Sequence, residues 1–214
     1  MSDYKHGDRN FDDLAEKFAR KVYGGLKGEI RLAVIWRDLV ATRPQILSGK
    51  PLRIIDIGGG LGQLSAKLAA LGHEVVYNDL SENMLVYAQK LAEQESVSDG
   101  IIWYQCPYQD LLKKGLGTFD LVICHALIEW LAQPEELLSS LQAFMGSNGR
   151  MSVTFYNQNG LVYRNLMRGN FKVLTNQFSA DPGSLTPHTP FKPELIDEWV
   201  GQLSMNVEHS SGIR

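Results

Sequence analysis

The chain has 214 residues, about one domain at roughly 150 residues each, and long enough to bury a core without disulfide or metal staples. With 44% apolar and 21% charged residues it is neither disordered nor fibrous. No apolar run approaches the ~18 residues needed to cross a bilayer, and the polar, acid-bearing start MSDYKHGDRN reads as neither a signal nor a transit peptide. A cytoplasmic protein is expected, with Cys106 and Cys124 as reduced core thiols, since they lack a CxxC pattern. The net charge of −3 argues against a dedicated polyanion binder, but the charge is unevenly spread. Residues 1–53 and 150–192 are each net +4, while 54–149 are net −8 and 193–214 net −3. Either this is scatter, or the basic flanks fold over one face and meet a negative substrate there.

Phe11, Leu14, Ala15, Phe18 and Val22 share one helical face, predicting a helix over 11–22 that ends at Tyr23-Gly24-Gly25. A second helix is predicted over 28–41, before Arg43-Pro44 and the loop Ser48-Gly49-Lys50-Pro51. From Leu52 the pattern changes. Strands are predicted at 52–57, 74–78, 101–106, 120–124 and 150–156, with helices at 63–71, 81–94 and 134–145 between them. Strands alternating with helices imply a doubly wound, mainly parallel α/β sheet, with its ligand at the carboxyl ends of the strands near the first one. After Tyr156 the alternation stops. Residues 157–192 read as an insertion over the active face, with a helical stretch at 161–167 and a Pro/Ser/Thr-rich loop at 179–190. A last helix is predicted over 194–203, and Met205–Gly212 begins a sixth strand.

The strongest local signal is Asp56-Ile57-Gly58-Gly59-Gly60-Leu61-Gly62 at a strand-to-helix turn. Its glycines let a ligand approach the backbone, although the same loop would also serve as a plain turn. Asp56 beside the loop disfavours a pyrophosphate and suits a ligand with an amino group. Asp79 ends the second strand at the spacing where an acid receives two ribose hydroxyls. It would also cap the next helix, but Ser81 is a good cap alone, which favours the ribose role. Together these features fit S-adenosylmethionine better than a nicotinamide dinucleotide. His125, after the fourth strand, faces the ligand crevice, where a structural and a functional role are both open. His6, His73, His125, His188 and His209 show no ligand spacing, so no metal is expected.

Longer stretches carry a resemblance. These are Asp8-Arg9-Asn10-Phe11-Asp12-Asp13 with Ala15-Glu16-Lys17-Phe18, Tyr23-Gly24 with Lys27-Gly28 and Arg31, Asp56–Gly62, and Asp79-Leu80-Ser81. They continue through Gln109-Asp110, His125-Ala126 with Glu129-Trp130, Phe155-Tyr156-Asn157 and Gly169-Asn170-Phe171. Over nearly its whole length the chain resembles the class I S-adenosylmethionine-dependent methyltransferases, and within them the tRNA 5-carboxymethoxyuridine methyltransferases. The resemblance implies a Rossmann-like fold with an N-terminal helical lid. One methyltransferase domain over 1–214 would comprise a lid at 1–47, a cofactor-binding core at 52–156, a substrate-side insertion at 157–192 and a last helix and strand at 193–214. It implies that Gly58, Gly59 and Gly60 contact the methionine part of S-adenosylmethionine, Asp56 its amino group and Asp79 its ribose. Tyr108 and Gln109 would flank the adenine, Arg31 would pair with the cofactor carboxylate, and His125 would line the cofactor. Tyr108 stands where the family pattern has a small residue, which leaves its ring's role open; its backbone serves equally well.

The acceptor implied is the carboxylate of 5-carboxymethoxyuridine at the tRNA wobble position, and the product its methyl ester. Such a carboxylate is already ionised at pH 7, so no general base is expected and no acid or base is assigned. Tyr156, Asn157 and Arg164 are the candidates for orienting the acceptor; their alternatives are a packed ring, a helix cap and a solvated cation. Arg164, Arg168, Lys172, Lys5 and Arg9 would meet anticodon-arm phosphates. A methyltransferase for small carboxylic acids and a non-catalytic cofactor-binding module are the competing readings. The family's sheet has seven strands, whereas this sequence has room for five and the start of a sixth, so a truncated C-terminal strand pair is expected.

Overall fold

The computed structural model describes residues 7–171, 185–187, 189–203 and 205–213. Its centre is a five-stranded sheet of β1 Arg53–Ile57, β2 Glu74–Asp79, β3 Ile101–Gln105, β4 Phe119–His125 and β5 Met145–Thr154, in the order β3-β2-β1-β4-β5. All four pairings are parallel. Parallel strands buried on both faces read as apolar runs; Ile54, Ile55 and Ile57 of β1 are all fully buried.

Alternation along β1 and β4 builds two cores. Ile54, Leu121, Ile123 and Tyr77 face α2 Leu26–Thr42, α3 Gln63–Ala70 and α4 Glu82–Gln94. Ile55, Ile57, Val122 and Cys124 face α6 Leu137–Gln142 and α8 Pro193–Gln202, together with the short helix α5 Tyr108–Leu111. Burying each such aliphatic side chain contributes about 1.5–3 kcal/mol. The strand order reverses between β1 and β4, which opens a crevice at their carboxyl ends.

Four sequence expectations change. The first helix is short: α1 Ala15–Phe18 runs into a π-helical turn, Ala19–Tyr23, before Gly24 leaves helical geometry. The helix expected over 134–145 splits into a 3-10 turn Pro134–Glu136 and α6. The fifth strand begins at Met145, which pairs with Phe119; Gly-Ser-Asn-Gly then bulges out before Arg150 pairs with Leu121. There Gly149 lies so close that an added Cβ would sit 2.9 Å from the Phe119 carbonyl oxygen, which only glycine accommodates.

The sixth strand does not form among the described residues. The segment 205–213 has a run of polar residues rather than alternation, and these bind neighbouring side chains instead of adding a strand. Glu208 meets Arg150 at 2.7 Å, while His209 and Ser211 reach Asp38 on α2. Ile213 packs into the α2-side core. The helical stretch predicted at 161–167 is α7, Gln158–Met167. Most of the loop 179–190, with Lys5 and Lys172, lies outside the described residues. Among the described residues no helix is long and apolar enough to cross a membrane.

Candidate active site

The turn after β1 closes on itself through the backbone. Gly59 N–H donates to the Asn78 carbonyl at 3.0 Å, and the Tyr77 hydroxyl donates to the Gly60 carbonyl at 2.6 Å. Gly58 and Gly60 have φ of +67° and +55°, where a side chain strains the backbone. At Gly59 the requirement is space: a Cβ would stand 2.6 Å from the Tyr77 ring and 3.1 Å from Asp56 Oδ2. The turn therefore keeps its backbone bare at the crevice.

Two carboxylates flank it. Asp56 is buried and accepts a hydrogen bond from Ser65 Oγ at 2.7 Å. Asp79 accepts from Gly60 N at 2.9 Å and Ser81 N at 2.8 Å. Ser81 caps α4 with its own hydroxyl, as expected. Burial pushes both carboxyls up to about 6, and for Asp56 the neighbouring charge of Asp79 adds to it. Neither shift includes compensation by a cation. Each carboxylate oxygen retains a free lone pair. Such a pair suits a ligand that carries positive charge and hydroxyl donors, and the bare glycine turn leaves room for it.

The N-terminal segment is laced over this crevice by side chains to which the sequence alone assigned no role. Buried Asp8 accepts from Gln109 Nε2 and Ala132 N, both at 2.9 Å. Asp12 accepts from Ser81 Oγ at 2.6 Å and Asn83 N at 3.1 Å. Phe11 packs edge-on against Phe18 and Trp130, at 5.8 and 4.7 Å between centroids. Removing Asp8 strands two buried donors, at a cost of about 1–3 kcal/mol. Asp8→Ala is accordingly expected to destabilise by that amount and to speed amide exchange at Ala132, read by denaturant unfolding and hydrogen exchange. An unchanged Ala132 amide would contradict this.

The other predicted residues fall into two groups. Gln109 follows β3 and His125 ends β4, while Arg31 lies on α2. Arg31 Nη1 donates to the Val22 carbonyl at 2.7 Å, with its guanidinium 5.8 Å from the Tyr23 ring centroid. Gln109 leaves its Oε1 buried without a partner. His125 follows Ile123 on the sheet face that also carries Asp56. Its Nε2 meets Ser152 Oγ at 2.9 Å and its Nδ1 is buried and unpartnered. Burial lowers its pKa to about 4, so the ring is neutral at pH 7. Tyr108 differs: its ring is buried in the α6-side core, which leaves its backbone at the start of α5 for the crevice.

The second group stands at the end of β5. Tyr156 accepts from Arg164 Nη2 at 2.5 Å. Asn157 Oδ1 caps α7 by accepting from Asn159 N at 2.8 Å and Gly160 N at 3.3 Å, which leaves its Nδ2 uncommitted to the cap. Sequence reasoning missed Glu129, buried beside Tyr156; the signal was a carboxylate inside the apolar run Leu-Ile-Glu-Trp. No group of three metal-ligating side chains occurs among the described residues.

A family model described as "Methyltransferase domain" matches residues 55–151. The chain is 36% identical over 208 residues to the tRNA 5-carboxymethoxyuridine methyltransferase of Escherichia coli (strain K12), covering 97% of this chain and 79% of that one. It is 27% identical over 168 residues to a ubiquinone biosynthesis O-methyltransferase of Coxiella burnetii, covering 78% and 68%. In fold it is similar to the magnesium protoporphyrin IX methyltransferase of Synechocystis PCC 6803 crystallised with bound SAH, with a TM-score of 0.67 at 21% identity, covering 95% and 91%.

Proposed function

The chain belongs to the class I S-adenosylmethionine-dependent methyltransferases, in the family of the tRNA 5-carboxymethoxyuridine methyltransferases, and on that premise we propose that it methylates the carboxylate of 5-carboxymethoxyuridine at the tRNA wobble position. The observation that carries this reading is the 36% identity sustained over 97% of the chain. That span takes in the lid and the α7 region as well as the glycine turn that methyltransferases share.

Asp56 would hold the ammonium of S-adenosylmethionine, Asp79 its ribose hydroxyls, and Arg31 its carboxylate. Gly58, Gly59 and Gly60 would lie against its methionine part, and Tyr108 and Gln109 beside its adenine. When bound, the cofactor supplies an electrophilic methyl group on a sulfonium. The acceptor carboxylate is ionised at neutral pH, so the residues around it need only align it and strip its water. An ionised acceptor has no proton to give up, so the neutral, weakly basic His125 ring is assigned no proton transfer. Tyr156, Asn157 and Arg164 would orient the acceptor from the end of β5.

The surface beyond them suits RNA. Arg164 and Arg168 are exposed on α7 beside exposed Tyr163, Met167 and Phe171, which offers cations to phosphates and apolar faces to bases. Binding to an anticodon hairpin should weaken with salt. In R164A/R168A the slope of log K against log salt should fall by roughly 1–2, about 0.7 for each phosphate left without its cation. An unchanged slope would remove these arginines from the RNA site. The activity is tested with labelled S-adenosylmethionine, offered a hairpin carrying 5-carboxymethoxyuridine or free small carboxylic acids. Label on the hairpin alone supports the reading; label on the acids alone replaces it with a small-molecule methyltransferase.

A further inference from the structure

The turn after β4 holds a buried carboxylate of which one oxygen has no partner. Glu129 is 4% exposed, inside a 3-10 turn flanked by Ile128 and Trp130. Among the described residues its hydrogen-bond support is backbone N–H, from Glu129 itself and from Tyr156. Its Oε2 is buried and has no partner. The charged groups across from it are Asp8 and Arg9, and the Arg9 guanidinium is engaged by Asp13 at 2.7 Å. Removing a buried carboxylate from water without a counter-ion is costly, so stability does not explain its presence. Burial pushes its carboxyl up to about 7.

Glu129 lines a cleft of about 200 Å³ between the segment 7–9, the turn 129–132 and Thr189. Sites for drug-sized molecules run from roughly 300 to 1,000 Å³, so this one suits a single small ring rather than a whole nucleoside. It lies on the acceptor side of the fold. The Tyr156 N–H points at Glu129, and Phe191, two residues beyond Thr189, donates its N–H to the Tyr156 carbonyl at 2.9 Å. Above pH 7, where it is ionised, the carboxylate accepts hydrogen bonds and donates none. Among pyrimidines, uracil presents a ring N–H at N3, whereas cytosine presents an acceptor.

We propose that Glu129 reads the base of the acceptor nucleotide, its carboxylate accepting the N3–H of a uracil ring seated in this cleft. The inference rests on the wobble-uridine reading above and adds a specificity residue to it. A site built around a buried polar group rejects an analogue that leaves the group unpaired far more strongly than an apolar pocket rejects a missing methylene.

The test compares two anticodon hairpins, one with 5-carboxymethoxyuridine and one with its N3-methyl derivative. Wild type, E129Q and E129A are assayed on both, and melting temperatures are recorded. Wild type is expected to prefer the N3–H hairpin by about 100-fold in kcat/KM, on the scale of a hydrogen bond to a buried charge. In E129A the preference should shrink to about threefold, because the partner is gone and space has opened for the methyl. E129Q keeps the volume, but its single carbonyl is claimed by the two backbone N–H groups, which turns its NH₂ toward the ring. It too should lose the preference. A purely structural Glu129 would slow both hairpins equally and leave the preference intact, which would overturn the proposal. So would a wild type that treats the two hairpins alike, whatever the variants do. If wild type methylates neither hairpin, the wobble-uridine reading itself fails and takes this inference with it.

Discussion

Gly59→Ala should abolish measurable cofactor binding while leaving a folded but weakened protein. The added methyl would stand 2.6 and 2.7 Å from Cε2 and Cδ2 of Tyr77, well inside contact distance. Tyr77 cannot retreat: it is fully buried, its hydroxyl is tied to the Gly60 carbonyl, and its ring lies 5.1 Å from that of Trp103. The turn must give way instead, toward the space where the cofactor would lie. Overpacking of this kind costs about 1–3 kcal/mol. The displaced turn would also disturb the Gly59 N–H bond to Asn78 and press on Asp56. Calorimetric titration with S-adenosylmethionine should show a loss of at least about 100-fold, of the order expected when two charge-assisted contacts fail. Gly60→Ala is the control. In the protein alone its Cβ meets nothing within 4 Å, so its unfolding stability carries only the strain of its positive φ, roughly 1–2 kcal/mol. Equal losses in the two variants would mean that backbone strain, not the Tyr77 contact, governs the turn.

The second large effect is that of pH on cofactor affinity. Asp56 and Asp79 both titrate at about 6 in the folded protein, above the ordinary value of 3.8. A raised carboxyl pKa means that the fold favours the protonated form. The associated stability is fully present below 3.8 and is lost as the pH rises through 6. The apoprotein therefore loses stability across that window, whereas a cationic ligand binds the ionised pair and restores it. Affinity for S-adenosylmethionine should be highest above pH 7 and fall below 6, by up to about tenfold per pH unit for each carboxylate that must release a proton. The rise in melting temperature on adding cofactor should thus be larger at pH 7.5 than at pH 5. Asp79→Asn should cut affinity by about 10- to 100-fold at pH 7.5. It should also flatten the pH dependence by about one proton. A variant that binds weakly but retains the full wild-type slope would exclude Asp79 from the titrating pair.

What was legible in the sequence is what is local. The glycine turn, Asp56 and Asp79 could be located because a bare turn between a buried strand and a helix is written in consecutive residues. The strands at 52–57, 74–78 and 120–124 were visible because parallel strands buried on both faces are continuous apolar runs, and 101–106 because Ile-Ile-Trp-Tyr is rich in strand-forming residues, although at the sheet edge Ile102 is exposed. The first half of β5 was hidden by Gly-Ser-Asn-Gly, a turn-like string that bulges between the Met145–Phe119 and Arg150–Leu121 pairs. Met205–Gly212 erred the other way: Met205 and Val207 suggested a strand, but Glu208, His209 and Ser211 found Arg150 and Asp38 instead. The carboxylates that tie the N-terminal segment to the core were beyond reach. Asp8 finds Ala132 across 124 positions of sequence and Asp12 finds Ser81 across 69. A charge that is buried by a distant segment looks, in sequence, like any surface charge. Tyr108 shows the converse, since a position carried over from the family's pattern turned out to bury its ring and offer only its backbone.

The most direct measurement is nucleoside mass spectrometry of tRNA that carries 5-carboxymethoxyuridine, after incubation with this protein and S-adenosylmethionine. The account predicts that 5-carboxymethoxyuridine is consumed and that its methyl ester appears in equal amount, with no transfer when Gly59→Ala replaces the wild type. Wild-type protein that binds the cofactor yet leaves the tRNA unmethylated would contradict it.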